Sequence, residues 1–337
     1  MWQVLGQARA IRFLENSIAR GEPAHAYLLT GPPHVGKMTL ARNFAQVLNC
    51  SSPQAPCGQC PSCTRIASSK YSDVQVIIRL KDEKTGRFKR EISIEQMRDV
   101  QKAAQFPPYE GKFKVFIIDG AEWLSSEAAN CFLKTLEEPP ARVIFLLLTA
   151  KESGVLPTVV SRCQRLELHP MPSNQVEDTL IAQGVDKSQA QLLAHLSQGC
   201  LGWALQAKIE PQLLQQRQEK TDLFRQMAKS GYEVRFGVAA ELAVQFEREP
   251  EQVTTVLETW SMWWRDLLLI KERCHKWVVN VDQMAELEQS EANVFSVTQI
   301  KGAIKNIQLT IRYLRQNANP RLALEVLMLS IPLPLPA

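Results

Sequence analysis

The chain has 337 residues, 45% of them hydrophobic, and 39 Lys and Arg against 35 Asp and Glu, a formal net charge of +4. That length provides core for two or three domains. A charge so near balance permits contact with nucleic acid without arguing for it. No apolar run exceeds a strand's length, Val143 to Leu148 being the densest, which argues against a membrane-spanning helix. Met1-Trp2-Gln3-Val4-Leu5-Gly6 leads into a helical pattern instead of a basic-then-apolar leader, so the chain reads as soluble and cytoplasmic.

Residues 8 to 20 predict a first helix with Ala8, Ile11, Leu14 and Ile18 on one face, stopping at Gly21. Tyr27 to Leu29 reads as a buried strand. The following Gly31-Pro32-Pro33-His34-Val35-Gly36-Lys37 has the spacing G-x-x-x-x-G-K of a phosphate-binding loop. A helix follows, with Leu40, Phe44, Val47 and Leu48 inward. In such a loop the backbone N–H groups cradle phosphates at a helix N-terminus and the lysine reaches the outer phosphates. The next residue should be Ser or Thr, whose hydroxyl holds Mg²⁺; here it is Met38, a soft thioether that a hard cation does not take. Thr39 has a hydroxyl, but one residue along a helix turns a side chain by about 100°, away from the metal. The phosphate cradle of Gly31, Gly36 and Lys37 survives without its metal post.

Cys50, Cys57, Cys60 and Cys63 follow with the spacing C-x6-C-x2-C-x2-C, bent by Pro53, Pro56, Gly58 and Pro61. Close C-x2-C pairs place thiolates for tetrahedral zinc, and four ligands close the site, making it structural. Cysteines packed as small core residues are the simpler alternative, but a Pro- and Gly-rich loop offers little core to fill. A zinc module that reads nucleic acid would carry basic and aromatic residues between its ligands, and Ser51 to Gln59 has none.

Val74 to Leu80 predicts a second strand, and Lys81 to Arg90 a basic hairpin or loop that could touch a phosphate backbone but is more simply a solvated loop. Ile94 to Ala104 predicts an amphipathic helix ending before Pro107-Pro108. Lys114 to Asp119 predicts a buried strand ending in the aspartate that in P-loop ATPases holds the metal. The next position, where a water-activating glutamate would stand, is Gly120; Glu122, three residues past Asp119, reads as an exposed loop or cap residue. Ser125 or Ser126 caps a helix that Pro139-Pro140 ends. Arg142 to Thr149 predicts a fourth strand with Thr149 facing the phosphate position, and Arg165 to Leu168 a fifth after Ser161-Arg162-Cys163. Five strands with helices between them make a doubly wound α/β sheet.

His169-Pro170-Met171-Pro172 reads as a linker, after which the pattern is helical. Val176 to Gln183, Ala190 to Leu196 and a helix starting near Gly199 form a three-helix unit ending near Ile209. Long amphipathic helices follow from Pro211, closed by Leu333 to Ala337. Trp260, Trp263 and Trp264 share one helix face; packing explains them more simply than base stacking.

These pieces resemble the clamp-loader subunits of bacterial DNA polymerase III, of the AAA+ class. The resemblance rests on Leu5-Gly6-Gln7, His25-Ala26-Tyr27-Leu28, the four-cysteine insertion, Leu133-Lys134-Thr135-Leu136-Glu137-Glu138-Pro139-Pro140 and Ser161-Arg162-Cys163, all in the first half of the chain. It implies an AAA+ domain over residues 1–169 with a five-stranded parallel sheet and a zinc module at 50–63. A three-helix lid over 170–209 and a helical oligomerisation collar over 210–337 would follow. The hydrolysing motor of the family (gamma/tau) has Ser or Thr where Met38 stands, glutamate at Gly120 and a sensing arginine at Gly202. Three departures on nucleotide chemistry, with Ser161-Arg162-Cys163 kept, resemble a stator that does not hydrolyse ATP but supplies Arg162 as an arginine finger to a neighbour. On that reading Gly31, Gly36, Lys37, Thr39, Asp119 and Thr149 form a degenerate nucleotide site that holds ATP or ADP, if at all, without turnover. The implied partners are the motor and delta subunits in a hetero-oligomeric ring, with the sliding clamp and primer-template DNA reached through the complex. The alternative is a working motor whose metal is held by Thr39 or by water alone.

Overall fold

The computed structural model describes residues 2–84, 86–288, 295–316 and 318–332; the expected closing segment Leu333 to Ala337 lies outside them. The chain divides into two compact units, residues 1–172 with 199–203, and residues 173–198 with 204–337.

The first unit is built on a five-stranded parallel sheet of order β2-β3-β4-β1-β5, from β1 (Ala26–Thr30), β2 (Val74–Ile77), β3 (Lys114–Asp119), β4 (Val143–Thr149) and β5 (Gln164–Glu167). β3 and β4 read as near-continuous apolar runs because helices cover both faces. Side chains alternate between those faces. Tyr27, Leu29, Val115, Ile117, Ile144, Leu146 and Leu148 join one core with Leu14 of α1 (Ala8–Ala19) and Leu40, Phe44 and Leu48 of α2 (Lys37–Asn49). Leu28, Phe116, Ile118, Phe145 and Leu147 face the other core with Met97 and Val100 of α4 (Ile94–Gln105) and Phe132 and Leu136 of α5 (Ser126–Glu137). α3 (Pro61–Ala67) carries the last of the four clustered cysteines, and α6 (Pro157–Val160) precedes β5.

Several expected boundaries shift. β2 stops at Ile77, not Leu80: the Ile78 carbonyl accepts a bond from the Gln96 side chain, and the backbone then pairs with itself in a hairpin. β4 begins at Val143 because Arg142 takes a left-handed φ of 60°. β5 begins at Gln164, which pairs with Tyr27. On α1 the buried small residue is Ala10, and Ala8 is exposed.

The second unit is helical among its described residues. It comprises α7 (Ser173–Ala182), α8 (Lys187–Leu196), most of α9 (Leu201–Ile209), α10 (Gln212–Lys229), α11 (Tyr232–Arg248), α12 (Pro250–Lys271), the single turn α13 (Met284–Glu286), α14 (Val297–Arg315) and α15 (Pro320–Ser330). Trp260, Trp263 and Trp264 are at most 1% exposed and lie in one core with Phe224, Phe295 and Ile307, so packing accounts for them. The fully buried Arg235 donates to the carbonyls of Ser230, Ala228, Met328, Ile331 and Pro332, tying the ends of α10 and α15 together.

Candidate functional site

The C-terminal ends of β1, β4 and β3 lie side by side: Thr30 is in register with Thr149, and Leu148 with Asp119. In open α/β sheets this edge is where ligands bind. The loop from Gly31 to Gly36 leaves β1 here and enters α2, with Gly36 left-handed at φ 107° as N-cap. Lys37 donates through Nζ to the carbonyls of Gly31 (2.6 Å) and Pro32 (2.8 Å). Burial lowers its pKa, while Glu122 and Asp119 oppose that shift. Asp119 reaches solvent at the strand end, yet partial desolvation raises its pKa; Lys37 pulls it down and Glu122 pushes it up. Lys37, Asp119 and Glu122 thus form one electrostatic cluster.

The remaining expected residues fall differently. Met38 is half-buried and packs against the core shared by α2 and the sheet, while Thr39 is exposed. Thr149 is buried, and its hydroxyl accepts the Lys151 N–H at 3.0 Å.

Glu122 is a correction: it is half-buried, not an exposed loop residue. Gly120, left-handed at φ 86°, starts a single 3₁₀ turn, Ala121–Trp123, that folds Glu122 back over the strand ends. Its Oε1 accepts the Ala150 N–H at 3.1 Å, and its Oε2 is buried with no hydrogen-bond partner among the described residues. The signal was legible in the glycine after Asp119, since a left-handed residue there reverses the chain.

A second contact was missed. His34, itself left-handed at φ 61°, accepts the Gly202 N–H on its carbonyl at 3.0 Å. A Cβ at position 202 would stand 2.6 Å from that oxygen, so glycine is required there. Burial, helped by Lys37, lowers the pKa of His34.

Arg162 follows α6. Its Nη2 donates to Glu137 Oε1 at 2.5 Å, and its Nη1 donates to the Thr158 carbonyl (3.0 Å) and Ser161 Oγ (3.3 Å). Its carboxylate partner is Glu137, at the end of α5, because α6 packs on α5. Cys163 anchors the segment by packing into the core beneath, where burial pushes its thiol up to about 12.

The cysteine cluster is separate. The sulfurs of Cys50, Cys57, Cys60 and Cys63 all lie within 4.8 Å of one another, with 3.9 Å between Cys50 and Cys60 and 4.0 Å between Cys57 and Cys63. Tetrahedral zinc with Zn–S bonds of about 2.3 Å sets its sulfurs about 3.8 Å apart, so this donor set fits and could hold zinc. The Cys60 and Gln59 N–H groups hold the Cys57 thiol below its ordinary pKa, favouring thiolate. Gln46 Nε2 donates to the Cys63 carbonyl and Lys112 Nζ to that of Cys50, fastening the module to the sheet domain.

A phosphate-binding loop on a five-stranded parallel sheet, with a four-cysteine module inserted after α2, defines a P-loop domain. Residues 6–172 match the family model "DNA polymerase III, delta subunit". The chain is 33% identical over 194 residues to the DNA polymerase III subunit delta' of Bacillus subtilis, covering 57% of this chain and 56% of that protein. It is 29% identical over 288 residues to subunit tau of the same organism, covering 80% and 50%, and 35% identical over 212 residues to tau of Escherichia coli, covering 60% and 31%. Among solved structures it is similar to a gamma subunit-related protein of Thermotoga maritima at 18% identity, covering 96% and 97% of the two chains with a TM-score of 0.46. The chain belongs to the clamp-loader family of DNA polymerase III subunits. It spans about half or less of the length of the tau relatives it matches.

Proposed function

We infer that this chain is a delta-prime-type stator of the DNA polymerase III clamp loader, a cytoplasmic subunit that does not hydrolyse ATP. The observation that carries the reading is the placement of Met38: its side chain packs into the core where a hydroxyl should meet Mg²⁺, and Thr39 stands exposed beside it. Gly120 in the base position and Gly202 seated against His34 agree with it. On this reading residues 1–169 are the AAA+ domain, 170–209 a lid and 210–337 a collar that assembles with motor and delta subunits. The four cysteines hold structural zinc. The stator acts on the sliding clamp and primer-template DNA through the complex. Arg162 serves a neighbour's γ-phosphate: its planar fork suits phosphate oxygens and stays charged at working pH. ATP or ADP bound at Gly31, Gly36, Lys37, Asp119 and Thr149 would persist without turnover.

The test is steady-state hydrolysis by the isolated chain with Mg²⁺. Negligible turnover is expected; a rate near 1 s⁻¹, within the roughly 1–100 s⁻¹ of kinases, would contradict the reading. One observation favours the motor alternative: Glu122, with a free buried oxygen beside Lys37 and Asp119, could take the role of the missing base. Measurable turnover abolished by Glu122→Gln would establish that alternative.

A further inference from the structure

Glu137 stands where a carboxylate is unfavourable. It is the last residue of α5 and is followed by Glu138, at the end of the helix whose partial negative charge disfavours anions. Its Oε1 accepts Arg162 Nη2 at 2.5 Å, across 25 positions of the chain, and the two side chains are 50% and 35% exposed. Nη1 of the same guanidinium donates to the Thr158 carbonyl at 3.0 Å and to Ser161 Oγ at 3.3 Å, and Nε makes none of these bonds. Thr158 and Ser161 lie within four residues of Arg162 on its own segment. Of the three contacts, Glu137 alone ties the guanidinium to another element. The backbone on both sides of the pair is anchored, because Leu136 of α5, Val159 of α6 and Cys163 pack into one core.

We propose that Glu137 is the positioning residue of Arg162, holding the guanidinium in the orientation from which it meets a neighbouring subunit's γ-phosphate. The proposal rests on the stator reading above and adds to it the group that sets the finger. A free arginine samples many rotamers, and that freedom must be given up before its fork meets a phosphate. Three bonds on two of its nitrogens confine the guanidinium beforehand, while Nε and the second Nη2 hydrogen remain to donate to phosphate oxygens. Stability alone explains the pair poorly, because a surface ion pair contributes little and this carboxylate sits at the wrong end of its helix. A local conflict of that kind is what functional sites retain.

The test is steady-state ATP hydrolysis, with clamp and primer-template DNA, by reconstituted clamp-loader complexes that carry Glu137→Ala, Glu137→Gln, Arg162→Ala or Glu137→Ala with Arg162→Ala. Glu137→Ala should lower kcat about tenfold, less than the about 10³–10⁵ of a finger itself. KM for ATP should change little, as for a group that acts only in the transition state. Glu137→Gln keeps an oxygen acceptor of the same shape and should recover part of the loss. The double substitution should be no slower than Arg162→Ala alone, an outcome that a merely structural role would not give. If Glu137→Ala fails to assemble, the smaller loss in Glu137→Gln, absent again beside Arg162→Ala, makes the same comparison. Two results would overturn the proposal while leaving the finger in place. One is a Glu137→Ala complex as fast as the unmodified one, or faster, when Arg162→Ala is slow; the other is an equal loss from Glu137→Ala in both backgrounds. No effect of Arg162→Ala would instead remove the stator reading and this proposal with it.

Discussion

Removing zinc from the cysteine module should unfold it while leaving the sheet intact. The module has little else to hold it. α3 has seven residues, too few to persist alone in water, and of these only Cys63 and Ile66 are buried. Its ties to the rest of the unit include the bonds from Gln46 Nε2 to Cys63 (2.8 Å) and from Lys112 Nζ to Cys50 (3.1 Å) and the solvent-exposed Arg65–Glu110 ion pair (2.6 Å), together with α3 packed on α2. Each such bond is worth about 1 kcal/mol net, or up to about 3 where the donor is charged. A structural zinc in a four-thiolate site contributes about 10–16 kcal/mol of apparent binding energy, which becomes local folding energy. The metal term therefore dominates. Protein purified without chelator should carry one zinc per chain by elemental analysis. Hydrogen exchange after chelation should show loss of protection over residues 50–67 and little change in β1, β3 and β4. Absence of zinc, or unchanged protection over that segment after chelation, would refute the reasoning.

Two further outcomes are expected. Burial alone would raise the pKa of Asp73, but the N–H groups of Tyr109 (2.7 Å), Glu110 (2.9 Å) and Gly111 (2.8 Å), joined by the charge of Lys114, outweigh it and hold the carboxyl below its ordinary value of 3.8. A depressed folded pKa contributes stability above the unfolded pKa that is lost as pH falls through the folded one. Asp73→Asn should therefore lower stability by about 1–2 kcal/mol at pH 7, with the gap closing below pH 3.8 in urea melts; a gap independent of pH would contradict this assignment. Arg235→Leu leaves the five carbonyls around it without their donor, and a cost on the order of 3–5 kcal/mol is expected from losing one side of a buried charged network. For a unit of this size that is a fall in Tm of roughly 10 °C by calorimetry; a shift under a degree would show the carbonyls are satisfied by other means.

The sheet could be read from residue patterns because its physics is local. Val115 to Ile118 and Val143 to Leu148 are apolar on both faces, which a strand covered by helices on both sides requires. The cysteine cluster was legible for a similar reason, since short spacings keep the sulfurs close whatever the rest of the chain does. What escaped the reading depends on backbone reversals and distant pairing. Glu122 reaches Lys37 and Asp119 only because Gly120 turns left-handed. Gly202 meets His34 across 168 positions, and Arg162 chooses Glu137 over the nearer Glu167 because α6 packs on α5. The Lys81 to Arg90 stretch is the exposed hairpin that the sequence allows, but its charge composition does not reveal that Arg79 lies over Phe88 and Trp123.

The central claim, that this subunit lends an arginine instead of hydrolysing ATP itself, is tested most directly by Arg162→Ala in a reconstituted clamp-loader complex. Arg162 is held by Glu137, Thr158 and Ser161 at the surface, so its loss should leave folding and assembly intact. Arginine fingers supplied in trans accelerate hydrolysis by about 10³–10⁵, equivalent to about 4–7 kcal/mol of barrier. DNA-stimulated hydrolysis at the adjoining motor site should fall by that order, clamp loading should slow with it, and Arg162→Lys should recover little. Hydrolysis and loading at the unmodified rate by the fully assembled Arg162→Ala complex would contradict the account.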